Sequence, residues 1–435
     1  MNTIASLPTL RVAVLGSGTV GTEVVRALRE DAEELAARSG AHLQIDSIVV
    51  RDTTRPRDPV IPTDLLSTDA EAAVAGADLV VEVMGGIEPA RGLIRMALSR
   101  GASVITANKA LLATHGPELF EAADAAGVDL FFEAAVAGAV PVVRGVRESL
   151  AGDTINRIVG IVNGTTNYIL DQMTTAGMDF DEALAQAQEL GYAEADPSAD
   201  VDGDDAAAKA AILASLAFHS RTYLDDVPTT GIRNITAEDI EAAAQSGHVL
   251  KLLAIAEQRR DNGLRGVAVR VHPALVPADH PLAGVHGAYN AVLVHAAAAG
   301  TLMFYGAGAG GAPTASAVLG DVVAAARHRA TGGRGPAESD YAALRPLGSE
   351  HVRTRYQVRL QVQDKPGVLA TLAGTVADHG VSVETARQVA TDHGQAALVL
   401  ITHLASERAL GEMVRALGRL EEVVHVSSVL RVEGH

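Results

Sequence analysis

Residues Leu10–Gly21 read LRVAVLGSGTVG, a short run rich in branched aliphatics that passes directly into glycines at 16, 18 and 21. The segment that follows, TEVVRALREDAEELAARS, repeats its apolar residues with a helical period. Strand, turn and helix in this order place a G-x-G-x-x-G pattern where it carries a mechanism. The glycines let the backbone approach a pyrophosphate, and the helix start, with Thr19 and Val20 in its first turn, faces the charge. A bare glycine pattern is a weak signal; its context here makes a dinucleotide site the better reading. The next strand, LQIDSIVV, leads to Arg51 and Asp52, where an adenosine ribose sits in such a fold. An acid at that place favours a free 2′-hydroxyl and an arginine favours a 2′-phosphate, so NAD and NADP both stay open.

Moving outward, ADLVVEVMGG (77–86) reads as a third strand ending at Gly85 and Gly86, and ASVITANKALLA brings Asn108 and Lys109 to another strand end. In an open parallel sheet these termini collect on the carboxyl edge, where ligands bind. The helix HGPELFEAADAAGV and the strand DLFFEAAV complete a nucleotide domain expected over residues 1–135. A second domain is expected over 136–330. Pro141 opens its first helix, and in INRIVGIVNGTTNYILDQM a β-branched strand delivers Asn163, Gly164, Thr165 and Thr166 to a helix start. Such amide and hydroxyl groups can hold a small carboxylate or merely cap the helix. Lys251, in an apolar segment, reads as an edge or snorkelling residue. LRGVAVRVHPALV and NAVLVHAAAAGTLMFYG alternate in period two, which suggests a mixed or antiparallel sheet. The glycine-rich turn containing Gly310 then precedes a long helix, and suits either a cap over the cofactor or a tight sheet-to-helix turn. Residues 331–352 are polar and rich in glycine and proline, as in a linker. From 353 to 435 the pattern is β-α-β-β-α-β, a ferredoxin-like unit whose architecture alone names no ligand.

Composition narrows the chemistry. The chain has 435 residues and no cysteine, which removes disulfides, thiolate metal sites and thiol nucleophiles from consideration. A formal charge of −18 argues against a nucleic-acid or membrane-surface binder. The N-terminal MNTIASLPTL lacks a leader pattern and no apolar run has bilayer length, so the expectation is a soluble cytoplasmic protein.

The densest chemistry lies in GYAEADPSADVDGDDAAAK (191–209), where Glu194, Asp196, Asp200, Asp202, Asp204 and Asp205 precede Lys209. Asp205 and Lys209 are spaced i, i+4, so a helix opening there sets carboxylate and amine on one face. A solvated acidic loop ending in a surface ion pair is the plain alternative. Lysine itself is scarce: it occurs at 109, 209, 251 and 365 only. Unlike arginine, it can exchange a proton near neutral pH when its surroundings lower its pKa. DVDGDD does not fit a calcium loop, because Asp205 stands where glycine is required and Ala211 stands at the twelfth position.

Three stretches, VAVLGSGTVG, VITANKALLA with FFEAAVAGAVP, and GYAEADPSADVDGDDAAAKAAIL, together resemble homoserine dehydrogenase along essentially the whole chain, and DKPGVLA in the tail resembles an ACT domain. The resemblance implies an α/β protein with a Rossmann-type doubly wound nucleotide domain, an α+β catalytic and dimerisation domain, and a C-terminal ferredoxin-like (ACT) domain. It implies interconversion of L-homoserine and L-aspartate 4-semialdehyde with NAD or NADP, within threonine, methionine and isoleucine biosynthesis. Lys209 and Asp205 would be the catalytic pair, with Lys109 at the nicotinamide and substrate. Glu194, Asp200, Thr165 and Tyr192 would bind substrate, and Gly16, Gly18, Thr19, Val20, Gly21, Arg51, Gly85, Gly86, Lys109 and Gly310 the cofactor. A monovalent cation, Na+ or K+, would sit at Glu133, Val136, Gly138 and Val140, the latter three through their carbonyls. L-threonine is implied as an effector of the tail, and a homodimer or homotetramer as the assembly. A non-catalytic NAD(P) and amino-acid sensor, or a dehydrogenase of a related semialdehyde, are the competing readings.

Overall fold

The computed structural model describes residues 7–261, 264–337, 339–390 and 394–434. The first six residues, part of the segment read for a leader, lie outside that set. The chain divides into two compact units, Met1–Gly164 with Asp205–Val227 and Ala288–Leu344, and Thr165–Asp204 with Pro228–Gly287 and Arg345–His435.

In the first unit, β1 (Thr9–Leu15), β2 (His42–Val49), β3 (Leu66–Ser67), β4 (Leu79–Glu82), β5 (Ser103–Thr106) and β6 (Leu130–Phe131) form a parallel sheet in the order β3-β2-β1-β4-β5-β6. The order reverses between β1 and β4, the place where such sheets open a ligand crevice. Alternation along β1 decides what covers each face. Val12 and Val14 point to α1 (Thr19–Glu30) and to α12 (Gly311–Thr331), which returns from far downstream with Val318, Val322 and Ala325 fully buried. Ala13 and Leu15 point to α4 (Ala90–Ser99) and α5 (Lys109–Ala126) on the other side. Each branched side chain so buried contributes roughly 1.5–3 kcal/mol. Shorter helices α2 (Ala32–Ser39), α3 (Ala70–Gly76) and α6 (Val142–Arg144) link these elements.

Also in the first unit, β7 (Ile155–Ile161), β10 (Tyr289–Ala296) and β11 (Gly300–Ala307) pair antiparallel. Helix α10 (Asp204–Phe218), all but its first residue in this unit, buries every residue from Asp205 to Ala214. Its alanines make it apolar all round, the mark of an enclosed helix.

The second unit supplies the remaining elements of the chain-order numbering. After α7 (Gly164–Thr175), which it holds from Thr165 on, come α8 (Phe180–Glu189), α9 (Ser198–Val201), α11 (Ala237–Gln245) and the long hairpin of β8 (His248–Asp261) and β9 (Leu264–Pro277). β12 (Arg345–Pro346) runs beside β9. The tail then folds as β13 (Arg353–Gln363), α13 (Val368–Asp378), β14 (Val383–Ala390), β15 (Gln395–Thr402), β16 (Ala405–Ser406), α14 (Glu407–Leu417) and β17 (Val423–Val432). Its sheet order is β17-β13-β15-β14, the ferredoxin-like arrangement, with Leu372, Leu398, Leu410 and Met413 in the core. β17 also runs parallel to β9, Arg431 opposite Ala274. The tail sheet is thereby continuous with the hairpin.

Two expectations change. The helix placed at His115 begins at Lys109 and passes through Pro117, because Asn108 caps it by accepting the Leu111 amide at 3.2 Å. The segment VPTTG (227–231), which reads as a short strand in the sequence, forms a single bridge between Thr229 and Val271. The segment read as a linker carries contacts of its own where it is described: Leu344 N–H donates to Ser220 Oγ at 2.7 Å, and Tyr341 stacks on His219 at 4.9 Å.

Candidate active site

The turn after β1 is shaped for close backbone approach. Gly16 has φ +106°, and a Cβ on Gly21 would stand 2.1 Å from Gly16 O, so α1 packs on the turn only with glycine at 21. Gly18 caps α1, and a Cβ there would meet nothing within 4 Å, so space lies open beside Gly18 at the helix start. Gly310, at φ +122°, precedes Gly311, on which a Cβ would lie 3.0 Å from Thr19 Cγ2. The structure therefore brings the glycine-rich turn before α12 against the start of α1. A pyrophosphate fits this cradle of amides and open space.

Two loops frame it. Glu82, fully buried at the end of β4, accepts from the amides of Met84 and Gly85 at 2.8 and 3.2 Å and from Thr106 Oγ1 at 2.6 Å. Asn108 Nδ2 donates to Gly86 O at 2.6 Å. One buried carboxylate thus fastens the Gly85–Gly86 turn to the strand that delivers Lys109. Beyond β2, Arg51 is exposed, while Asp52 accepts from Thr54 N and Oγ1 at 2.8 and 2.7 Å. Those bonds and the nearby Arg57 and Arg55 hold the Asp52 carboxyl below its usual range. Arg57, which sequence reasoning missed, donates through Nε to Ser17 Oγ at 3.0 Å. Its signal was present in RDTTRPR, where three arginines surround a single acid.

The densest electrostatic cluster joins α5, α10 and the end of β7. Lys209 Nζ donates to Asp205 Oδ2 at 2.7 Å and to Val162 O at 2.7 Å. Asn163 Nδ2 donates to the same Oδ2 at 2.8 Å, and Lys109 Nζ pairs with Oδ1. Burial by itself would raise the Asp205 carboxyl, but the Lys209 and Lys109 ammonium groups outweigh it and hold it well below the carboxylate range. The side chains differ in access: 3% exposed for Asp205, 10% for Lys209 and 45% for Lys109. One carboxylate therefore anchors a buried ammonium and an open one. The i, i+4 spacing alone brings Asp205 and Lys209 together, whereas the approach of Lys109 depends on the sheet.

In the second unit the structure joins two of the four substrate candidates. Thr165 Oγ1 donates to Tyr192 O at 2.6 Å, and the Tyr192 ring lies 5.0 Å from that of Tyr168. Glu194 is exposed, with its carbonyl accepting from Gln188 Nε2 at 3.0 Å. Asp200 is half-buried on α9. Asp202 pairs with Arg233, and Asp204 opens α10 in an exposed position.

The residues expected to hold a cation form a buried turn. Both Glu133 carboxylate oxygens accept backbone amides, Oε1 from Val143 at 2.8 Å and Oε2 from Arg144 at 2.9 Å. Val140 O accepts from Val142 N at 2.8 Å, and Ala137 and Gly138 both take left-handed φ near +58° and +59°. Asp321 on α12 accepts the Glu133 amide at 2.8 Å and pairs with Arg144 at 2.6 Å. Burial pushes the Asp321 carboxyl up to about 7. It raises Glu133 too, against the pull of the two amides.

Lys251 departs from expectation. It is 3% exposed and does not snorkel: Nζ donates to Val285 O at 2.6 Å and to Asn167 Oδ1 at 3.1 Å, all within the second unit.

Family models match along the chain: "Homoserine dehydrogenase, NAD binding domain" over residues 16–133, "Homoserine dehydrogenase" over 141–323 and "ACT domain" over 356–422. The chain is also 56% identical over 431 residues to a homoserine dehydrogenase of Mycobacterium tuberculosis (strain ATCC 25618 / H37Rv), covering 97% of each. The chain belongs to the homoserine dehydrogenase family. Among solved structures, the homoserine dehydrogenase of Thiobacillus denitrificans superposes with a TM-score of 0.91 at 38% identity, covering 98% of this chain and 99% of the other. A hyperthermophilic archaeal homoserine dehydrogenase in complex with NADPH gives 0.62 at 28% identity over 73% of this chain and 97% of its own. This homoserine dehydrogenase is accordingly an oxidoreductase with a nicotinamide-nucleotide domain and a C-terminal ACT domain. No helix among the described residues is long and apolar enough to cross a membrane.

Proposed function

We propose that in this enzyme the interconversion of L-homoserine and L-aspartate 4-semialdehyde runs through Lys209, with Asp205 and Lys109 as its partners. The observation that supports this is one buried carboxylate shared by two lysines of unequal exposure. Bound nicotinamide supplies the hydride chemistry. The chain's own task is the proton. In the reductive direction the Lys209 ammonium, fixed by Asp205 and Val162 O, gives a proton to the aldehyde oxygen as the alcohol forms; in the oxidative direction the amine takes the hydroxyl proton back. Lys109, on the open side of Asp205, holds the oxygen's developing charge. Glu194 and Asp200 would meet the substrate ammonium, and Tyr192 and Thr165 its carboxylate, the Thr165 hydroxyl turning its proton from Tyr192 O to the substrate. Turnover followed by nicotinamide absorbance with L-homoserine tests this: Lys209→Ala should lose turnover and keep cofactor affinity, and a variant with ordinary kcat would overturn it.

For the cofactor we propose NADP(H) over NAD(H). Arg51, Arg55 and Arg57 offer cations beyond β2, while the Asp52 carboxylate is turned onto Thr54. NADPH in the archaeal relative agrees with this. We also propose the monovalent cation at the Glu133 turn, where Val136, Gly138 and Val140 carbonyls with Glu133 provide hard oxygen donors; a melting temperature indifferent to exchanging Na+ or K+ for a bulky organic cation would refute it. L-threonine is the proposed effector of the ACT domain, which keeps DKPGVL at Asp364–Leu369; activity unchanged at millimolar threonine would exclude it. Boundaries at 135, 330 and 352, a homodimer or homotetramer, cytoplasmic residence and service to methionine and isoleucine synthesis complete the proposal. Light scattering of the purified chain decides the assembly.

A further inference from the structure

Lys251 is a buried ammonium that the chemistry above leaves unused, yet its surroundings are built in detail. It lies on β8 and donates to Asn167 Oδ1 and Val285 O. Asn167, near the start of α7, turns its Nδ2 to Val285 O at 3.1 Å and Gly287 O at 2.8 Å. One turn further along the same face, Asp171 Oδ2 accepts the Gly287 amide at 2.8 Å and Oδ1 meets His286 Nδ1 at 2.8 Å. The i, i+4 pair Asn167 and Asp171 thus grips both ends of the 285–287 turn, and Lys251 closes the grip from the hairpin. Other buried residues on α7 look elsewhere: Thr165 donates to Tyr192 O, and Tyr168 OH donates to Gln186 Oε1 at 2.5 Å. Helix α7 is therefore held between a polar clamp and the loop that carries Tyr192.

A buried ammonium costs the fold desolvation, and a methionine of similar length would fill the space without that cost. Burial lowers the Lys251 ammonium to about 8, with Asp171 opposing, and Asp171 is in turn faced by His286. Retaining a cation at such a place points to positioning, because its donors join α7, through Asn167, to the 285–287 turn at fixed bonding distances.

We propose that Lys251 is a positioning residue for substrate binding, locking Asn167 and the 285–287 turn so that Thr165, in the first turn of α7, is presented to the substrate carboxylate. This rests on Thr165 being a substrate contact, as proposed above. The full-length enzyme would be compared as wild type, Lys251→Met, Lys251→Gln and Thr165→Val, reading kcat, KM for L-homoserine, KM for NADPH and the melting temperature. Lys251→Met should raise the homoserine KM roughly tenfold while leaving the NADPH KM within about twofold and the melting temperature equal or higher. Lys251→Gln, which keeps a donor, should recover part of that loss. A homoserine KM that rises for Thr165→Val but not for either Lys251 variant overturns the clamp and leaves the Thr165 contact standing. No change for any variant overturns both. If Lys251→Met and Lys251→Gln lower the melting temperature equally and shift all kinetic constants together, Lys251 is structural and the proposal falls.

Discussion

Two lysines are buried in this chain, and they are neutralised in different ways. Lys209 faces a carboxylate: Asp205 lies 2.7 Å away and also takes Lys109 and Asn163. Among the described residues, Lys251 meets at bonding distance two neutral acceptors, the Asn167 amide oxygen and the Val285 carbonyl. In the first case the charges of a cluster sustain one another, and the Asp205 carboxyl drops far below its usual range. In the second, dipoles only partly replace water and burial brings the ammonium down to about 8. The difference separates a group suited to the reacting oxygen from one suited to holding a helix.

The largest test of that contrast is Lys209→Ala, expected to cut kcat by about 10²–10⁴-fold with cofactor affinity retained, whereas Lys251→Met should leave kcat nearly intact and act on the homoserine KM. Equal kcat losses in stopped-flow assays would erase the distinction. Next comes Asp205→Asn, which leaves two lysines without their shared counter-charge. It should cost about 3–5 kcal/mol in denaturant unfolding. Because the folded carboxyl lies below its unfolded value, its contribution is complete above the unfolded pKa of about 4 and disappears only as pH falls through the lower, folded value. Wild type should therefore be much more resistant than the variant from neutral pH down to mild acid, with the gap closing in strong acid.

Lys251 is shifted in the same direction, but for an amine that makes the charged form, the one held at neutral pH, the disfavoured one. Its folded pKa lies below the unfolded one, so between about 8 and the unfolded value near 10.4 the unfolded chain binds more protons, and stability from this group rises with pH. Unfolding of wild type and Lys251→Met measured across that window should converge as pH rises; a constant gap would mean that the ammonium is not strained by burial. The smallest effect concerns the first unit alone: Arg57→Ala should raise the KM for NADPH about tenfold, one lost charge-assisted hydrogen bond, and leave that for NADH nearly unchanged. Equal rises for both would move Arg57 from phosphate recognition to loop support.

How far each feature could be read from the sequence follows from the same two lysines. The Asp205–Lys209 contact is local, four residues apart on one helix, and period alone placed both on one face. Lys251 meets partners 84 and 34 positions away, so an apolar strand gave no hint of its polar clamp and suggested a snorkelling side chain instead. Strand, glycine turn and helix at 10–21, and the β-α-β-β-α-β tail, were legible for the same local reason. The return of α12 to the nucleotide sheet, the Asn108 cap that makes Lys109 a helix start, and the reach of Arg57 to Ser17 all need tertiary partners, and no period encodes those.

The placement of α12 bears on how the polypeptide is made. Val12, Val14 and Val24 on one side of the nucleotide sheet are covered by Val318, Val322 and Ala325, which a ribosome adds only after most of the chain has emerged. Until then the part of that face which α12 covers stays wet, and the glycine turn at 16–21 lacks Gly311 beside Thr19. A nascent chain halted before α12 would carry the full dinucleotide signature and yet bind nucleotide poorly, so the oldest part of the molecule to leave the ribosome is among the last to become competent.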